Sequence, residues 1–453
     1  MKTRKKVLIL CTFWSLSMLV LQAQSPRKLT MENPDPLASG FANPPVSAWP
    51  WVYCFWLDGN VTKEGITADL EAMRSAGIGG ALVMDGSLFN PKGPVGFFSP
   101  GWQQLFRHML VEADRLGLEI NMNNDPGWAG SGGAWVRPDQ ASQRVVFSEV
   151  KVTGPSRYDA VLDKPPVTLD TYRDIAVLAF PAPVADTNGK FRRLEMIKSG
   201  KSFDGRGDFA QCVTWPRSIH MPAQWQNVPA GQCVPFGSVL ELTHRMEADG
   251  GLVWDVPPGD WVLMRIGYTP TGSNTRMAQS EGAGLECDKL SKPALKAHFD
   301  AMIGKLVGDA GTLAVKSLVS THIDSWEAGS GNWTPDFREE FKRRRGYDLL
   351  GYLPVLNGIV VESPEVSERF LWDLRETIND LVLDNYSGYL RELAREKGLR
   401  LSIEAYDGTV DDLRYAGRAD EPMTEFWQGG CYEGLNLCDL TEVMTSAAHV
   451  YGK

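Results

Sequence analysis

Between Trp51 and Val450 the sequence alternates short apolar, β-branched runs with amphipathic stretches of helical period, and this alternation constrains the fold more than any other feature. Trp51–Trp56, Gly80–Met84 and Leu118–Asn123 read as strands. Thr62–Ala76 and Pro100–Leu116 read as the helices between them, the first with Thr62 as N-cap and Gly77 as its stop. The pattern later resumes with a helix over 291–307, a strand Leu318–Ile323, and helices over 335–345 and 364–397. A strand Leu399–Ile403, a short strand Met423–Trp427 containing Glu425, and a helix over 440–450 complete it. Strands alternating with helices predict parallel units. The expected fold class is therefore α/β, a (β/α)8 TIM-type barrel that is incomplete here, with about six β/α units.

The interruption runs from Val145 to Tyr268 and holds alternating β runs such as VVFSEVKVT and IAVLAF. WDVPPGDWVLMRIGYT reads as two strands around a Pro-Gly turn. These runs predict an inserted all-β, sandwich-like domain. The expected organisation is a signal peptide over 1–23, a leader over 24–44, barrel units 1–3 over 45–144, the β insertion over 145–275, and barrel units 4–6 over 276–453. The signal rests on basic MKTRKK, the apolar run Val7–Leu21 and the small Ala23 at the cut. It predicts a periplasmic or extracellular protein with no membrane span after cleavage; a retained anchor helix is the alternative. An exported chain can pair its cysteines, and Cys212 with Cys233 and Cys431 with Cys438 are closest in sequence. Buried free thiols are the other reading.

A net charge of −10, with one concentrated basic run at Lys342–Arg345, argues against nucleic acid as a partner. Most of the 15 tryptophans are expected in the core or in lids, and the number also suits a protein that stacks rings on sugars.

In barrels of this class the reactive residues gather at the C-terminal strand ends. Asp58, Asp85, Asp125, Asp324, Glu327, Glu404 and Glu425 all fall at or just past such ends. The segment SLVSTHIDSWEAGSGNWTPDFREEFKRRRGYD carries a buried strand into Asp324 and Glu327, with Trp326 between them. Carboxyl groups there can transfer protons or hold a metal, and flat rings can hold a sugar. Glu327 and Asp324 form the acidic pair at this strand end. Glu404, Asp125, Trp128, Trp326 and Asp58 are candidate substrate contacts, and Asp324 and Glu425 candidate metal or sugar ligands. The loop from Pro126 to Trp135 reads as a sugar-stacking wall or a packed loop. Asp58 also fits plain turn chemistry, Glu404 an ion pair with Arg414 or Arg418, and His322 a satisfied core histidine.

Five segments then carry a family resemblance: WVYCFWLDGNVTKEGITADLEAMRSAGIGGALVMD, DPGWAGSGGAWVRPDQASQ, GLECDKLSKPALKAHFD, DSWEAGSGNWTPDFREEFKRRRGYDLLGYLPVLNG and IEAYDGTVDDLRYAGRADEPMTEFW. Together they resemble glycoside hydrolase family 106, enzymes that remove α-L-rhamnose from plant polysaccharides. Many relatives have a cysteine where Asp125 precedes Pro-Gly-Trp. The resemblance implies an inverting, calcium-dependent hydrolase acting on rhamnose-containing oligo- or polysaccharides. It implies Glu327 as the base, and Asp324 and Glu425 at the metal or sugar. It further implies an acid on a strand past Lys453, so that this chain would be a fragment or one part of a split gene, inactive by itself. Two other readings stand beside it: a non-catalytic carbohydrate-binding fragment of the same barrel, and a β-galactosidase-like retaining enzyme with Glu404 about 5 Å from its partner.

Overall fold

A computed structural model describes residues 35–88, 90–128, 130–184, 228–405, 410–425 and 437–453. The signal peptide, most of the leader, Cys212, Cys431 and Tyr406 lie outside the described residues, as does the Cys438 side chain. The described residues 35–48 belong to one unit, and those from Trp49 onward form another. In the first, the helix Pro36–Ala42 is capped by Asp35, which accepts from the Leu37 N–H at 3.0 Å.

In the second unit, β1 (Trp51–Leu57), β2 (Gly80–Gly86) and β3 (Glu119–Asn123) pair in parallel in that order. Next come the short β4 (Gly132–Gly133), β5 (Gln143–Val161), β6 (Arg173–Pro181), β7 (Leu240–Glu241), β8 (Gly251–Pro270) and β9 (Leu285–Glu286). The parallel sheet then resumes with β10 (Leu318–Ile323), β11 (Arg400–Glu404) and β12 (Glu421–Met423). Its order is β1-β2-β3-β10-β11-β12, every neighbour parallel, so all six C-terminal ends share one rim. β12 stops at Met423, and Glu425 lies beyond it rather than inside an apolar strand.

The helices form where local chemistry predicts. Thr62 caps Lys63–Ser75 by accepting from the Gly65 N–H at 3.0 Å. Ser99, Pro100 and left-handed Gly117 bracket Pro100–Leu116. That helix buries Trp102, Phe106, Met109, Leu110 and Ala113, a stripe of helical spacing. Trp56 of β1 meets Trp102 edge-on at 5.4 Å and Phe106 at 6.3 Å. The charged helix starts at Phe337 instead of Pro335, with Asp336 at its N-cap. The long helix Pro364–Glu396 contains a π-helical stretch, Val382–Ser387, which carries the fully buried Tyr386.

The β insertion departs from expectation. WDVPPGDWVLMRIGYT does not form a hairpin. It lies within one 20-residue strand, β8, that pairs with β5 from Gln143↔Pro270 to Val161↔Gly251. The register shifts once, between Gly154 and Ser156, opposite the Pro-Pro-Gly stretch. A bulge shared by both strands therefore takes the place of a turn. Among the described residues these strands form a single antiparallel sheet, β5-β8-β6-β7, instead of a sandwich. Ala176, Leu178 and Phe180 of β6 enter the main core, while Val177 and Ala179 face a second small cluster with Trp254 and Leu263. One face of the sheet is thus sealed onto the helical layer.

Candidate functional site

The parallel strands carry polar residues on the inner side of the sheet, and these are joined to one another. The Asn121 amide donates to Ser402 Oγ at 2.8 Å, and Ser402 Oγ lies 2.8 Å from His322 Nδ1. His322 Nε2 lies 3.3 Å from Asp324 Oδ2. Because Asn121 donates to Ser402, the hydroxyl proton is free for Nδ1, and the imidazole then donates its Nε2–H to Asp324. A directed chain across β3, β11 and β10 therefore aims one carboxylate at the rim. His322, read from sequence as a core residue or a ligand, is here the orienting partner of Asp324.

Three further carboxyl groups lie around Asp324. Glu404 ends β11, is 2% exposed, and accepts from the Tyr53 hydroxyl at 2.6 Å through Oε1. Its Oε2 is buried without a partner among the described residues. Burial, reinforced by Asp324, holds the Glu404 carboxyl well above the usual range. Glu327 is half-buried, and Ser325 Oγ bridges it to Asp324 at 3.3 and 3.1 Å. Burial and the neighbouring Asp324 push Glu327 up to about 7, with Arg276 acting in the opposite direction. Glu425 is close enough for its charge to act on Glu327, Glu404 and Tyr53.

Ligand atoms of His322, Asp324 and Glu404 lie within 4.8 Å of one another. The carboxylates fit a hard divalent cation such as calcium, which takes oxygen donors. The free buried Glu404 Oε2 and the massed negative charge favour such an ion. A nitrogen donor does not suit calcium, so His322 fits as the residue that orients Asp324. Glu425, expected from sequence as a metal or sugar ligand beside Asp324, is outside this tight group, which contains Glu404.

Behind the rim is a second buried network. The Lys289 ammonium donates to Glu286 Oε2, and both side chains are under 10% exposed. Lys289 also lies 5.0 Å from the Trp326 ring and 5.6 Å from the Tyr386 ring. Burial works against its charge, but Glu286 holds its pKa above the ordinary value. Asp125 is fully buried; burial and Glu286 raise its carboxyl strongly, while Lys289 counteracts. Its Oδ1 accepts from Asn123 at 2.8 Å, which turns Asp125 into the core. The loop after β3 is pinned further by Asn124, whose amide donates to the Gly130 and His322 carbonyls at 2.7 Å each. His298 Nδ1 accepts from Trp135 at 3.1 Å and its Nε2 reaches Asn124 Oδ1 at 3.1 Å, so Nε2 bears the proton. Burial pushes His298 down to about 3.

Asp58 and Trp326, two expected sugar contacts, and the strand-end Asp85 bond within the scaffold. Asp58 accepts from Ser87 and from the Leu88 and Asn90 N–H groups, the latter two at 3.1 Å. Ser87 and these amides hold its carboxyl below the usual range. Both oxygens are committed to the loop after β2, neither to the local Asp-Gly turn expected as the alternative nor to an open pocket. Asp85 points to the helix layer, accepting from Trp102 Nε1 at 2.8 Å and from Gln279 at 2.7 Å; burial pushes it up to about 7. The Trp326 indole is 9% exposed and donates to the Gly329 carbonyl at 2.8 Å, so it covers Lys289 instead of facing a sugar. Glu404 bonds Tyr53 rather than pairing with Arg414 or Arg418, which bond Asp380 and Asp384.

The accessible aromatic wall is Tyr53, Phe55 and Trp128. Tyr53 and Phe55 stack at 5.6 Å, and Trp128 meets Phe55 edge-on at 6.1 Å. Tyr53 is 39% exposed and Phe55 49%. Their i, i+2 spacing on β1 was the sequence signal for a shared face. Glu286 and Lys289 stood in GLECDK, but nothing local showed that they meet the loop after β3.

The segment 271–284 roofs this rim. The Trp128 N–H donates to the Arg276 carbonyl at 3.3 Å, and Ser87 N–H to the Met277 carbonyl at 2.6 Å. Gly127, at φ +82°, is required there because a Cβ would run into the Arg276 carbonyl oxygen.

The family model and a solved structure both point to a rhamnosidase, while a curated relative carries another name. The family model described as alpha-L-rhamnosidase, glycoside hydrolase family 106, matches residues 42–453. A solved rhamnosidase from Novosphingobium sp. PP1Y is similar at a TM-score of 0.77 and 26% identity, over 91% of this chain and 52% of that one. A protein of Formosa agariphila, provisionally named a beta-glucuronidase, is 39% identical over 416 residues, 92% of this chain and 34% of the relative. The chain thus spans about a third of the curated relative and about half of the solved rhamnosidase. With nine-tenths of its length inside the family match, the chain belongs to glycoside hydrolase family 106, the alpha-L-rhamnosidases.

Proposed function

We propose that this chain carries the hydrolytic centre of an exported enzyme that removes terminal α-L-rhamnose from plant pectic polysaccharides or rhamnosides with inversion. The observation that carries the reading is Glu327: a half-buried carboxyl at the rim, pushed up to about 7, beside the acidic group Asp324 and Glu404. A pKa near neutrality is what a general base requires. Glu327 takes a proton from water as the water oxygen bonds to the anomeric carbon and the bond to the leaving oxygen breaks. Inversion needs a second carboxyl group, about 6.5–9.5 Å away, to protonate that oxygen. Tyr53, Phe55 and Trp128 offer the face for the sugar ring. Asp324 and Glu404 would hold calcium, which supplies fixed positive charge that can position sugar hydroxyls.

Two outcomes test this reading. EDTA lowers release of p-nitrophenol from the aryl α-L-rhamnoside, and calcium restores it; full activity in EDTA contradicts the cation. Ser402→Ala interrupts the chain that aims Asp324 and lowers kcat/KM about 10- to 100-fold, the usual effect of removing an outer partner of a ligand. Unchanged kinetics would mean that the relay orients nothing. The name of the Formosa relative makes aryl β-D-glucuronide the control substrate; its cleavage in place of the rhamnoside would overturn the assignment.

A further inference from the structure

We propose that Arg276 forms a carboxylate-binding subsite at the rim of the acidic cluster, occupied by a uronic acid that adjoins the cleaved rhamnose. The inference rests on the rhamnosidase reading and names the neighbour that the substrate carries.

The cation differs from several other arginines among the described residues. Arg265 is paired with Asp174 through two hydrogen bonds of 2.8 and 2.9 Å, Arg338 with Asp348, and Arg391 with Asp420. Arg276 is half-buried, and among the described residues its guanidinium has no hydrogen bond or ion pair. A guanidinium whose N–H groups meet no acceptor of the chain keeps those donors available for a partner from outside. Its charge favours the ionised forms of both Glu327 and Glu286.

The backbone that carries it is held from both sides. Its carbonyl accepts from Trp128, and Gly127 packs against that carbonyl. The Thr275 N–H donates to the Gly284 carbonyl at 2.8 Å, and Gln279 donates to Asp85 at 2.7 Å. A guanidinium on a fixed loop presents a planar fork, the geometry that takes a carboxylate through two parallel hydrogen bonds. Elsewhere the rim is lined by Asp324, Glu327, Glu404 and Glu425, which repel an anion. The guanidinium gives an anionic substrate a place for its charge away from these carboxylates. Trp128, alongside, supplies the apolar face a neighbouring sugar would use.

The test compares the full protein with Arg276→Met and Arg276→Lys on four substrates: an aryl α-L-rhamnoside, rhamnosyl-galacturonate, rhamnosyl-glucuronate and an aryl β-D-glucuronide. The expected result is a fall of about 10- to 100-fold in the ratio of kcat/KM for the rhamnosyl-uronates over that for the aryl rhamnoside, as loss of a charge-assisted bond implies. Lys should recover part of it. The two uronates show which sugar fits. An unchanged ratio, however far each rate moves, overturns the subsite, because Arg276 then only adjusts the carboxylates. If the parent cleaves the aryl glucuronide but no rhamnoside, and Arg276→Met abolishes this, the carboxylate subsite stands and the rhamnosidase reading falls. If nothing is cleaved, calorimetric titration with free galacturonate and glucuronate decides. Binding that Arg276→Met loses supports the subsite; equal binding, or none by the parent, overturns it.

Discussion

Glu327→Gln lowers kcat on an α-L-rhamnoside by about 10³-fold, within the range a general base supplies, with KM little changed. The parent's activity rises with pH through about 7, because the base must be ionised and burial beside Asp324 delays that ionisation. The variant loses this limb. Its stability follows from the same linkage. A carboxyl whose folded pKa is raised favours the fold below its unfolded pKa and loses that contribution as pH rises through the folded one. Gln cannot ionise, so the variant matches the parent near pH 4 and exceeds it near pH 8 in thermal unfolding. Retention of more than a tenth of the parent's kcat would remove Glu327 from the role of base.

Lys289→Met destabilises the fold by about 3–5 kcal/mol, the cost of leaving one member of a buried ion pair without its partner. The ammonium is the only cation bonded to Glu286 among the described residues, and Asp125 lies close enough to feel both. The deficit grows with pH above the ordinary glutamate range, since the folded state must then hold an ionised Glu286 without compensation. Adding Glu286→Gln to Lys289→Met recovers most of the loss, because it removes the orphaned charge. Chemical denaturation of the single and double variants measures both effects. A double variant no more stable than the single one would show that Lys289 acts through the Trp326 and Tyr386 rings instead.

These two residues also show what a sequence discloses. The β/α alternation was legible because helix and strand periods are local, and caps such as Thr62 and Ser99 mark their own helices. Strand-end position singled out Glu327, Asp324 and Glu404 for the same reason. It could not separate them from Asp58 and Asp85, whose partners Ser87, Trp102 and Gln279 are brought in by loops and a helix. The Pro-Pro-Gly stretch at 257–259 looked like a turn, but 19 residues of β5 offered continuous pairing, and pairing won. Lys289 was invisible as a functional cation because Trp326 and Tyr386, its aromatic neighbours, come from distant segments.

The central claim is inversion at an α-L-rhamnoside, and proton NMR of the first turnovers tests it most directly. Full-length protein is mixed with an aryl α-L-rhamnoside, and the anomeric signals of released rhamnose are followed before mutarotation. The account predicts that β-L-rhamnose appears first and the α-anomer grows in later. Initial release of the α-anomer, or no release of rhamnose, would contradict it.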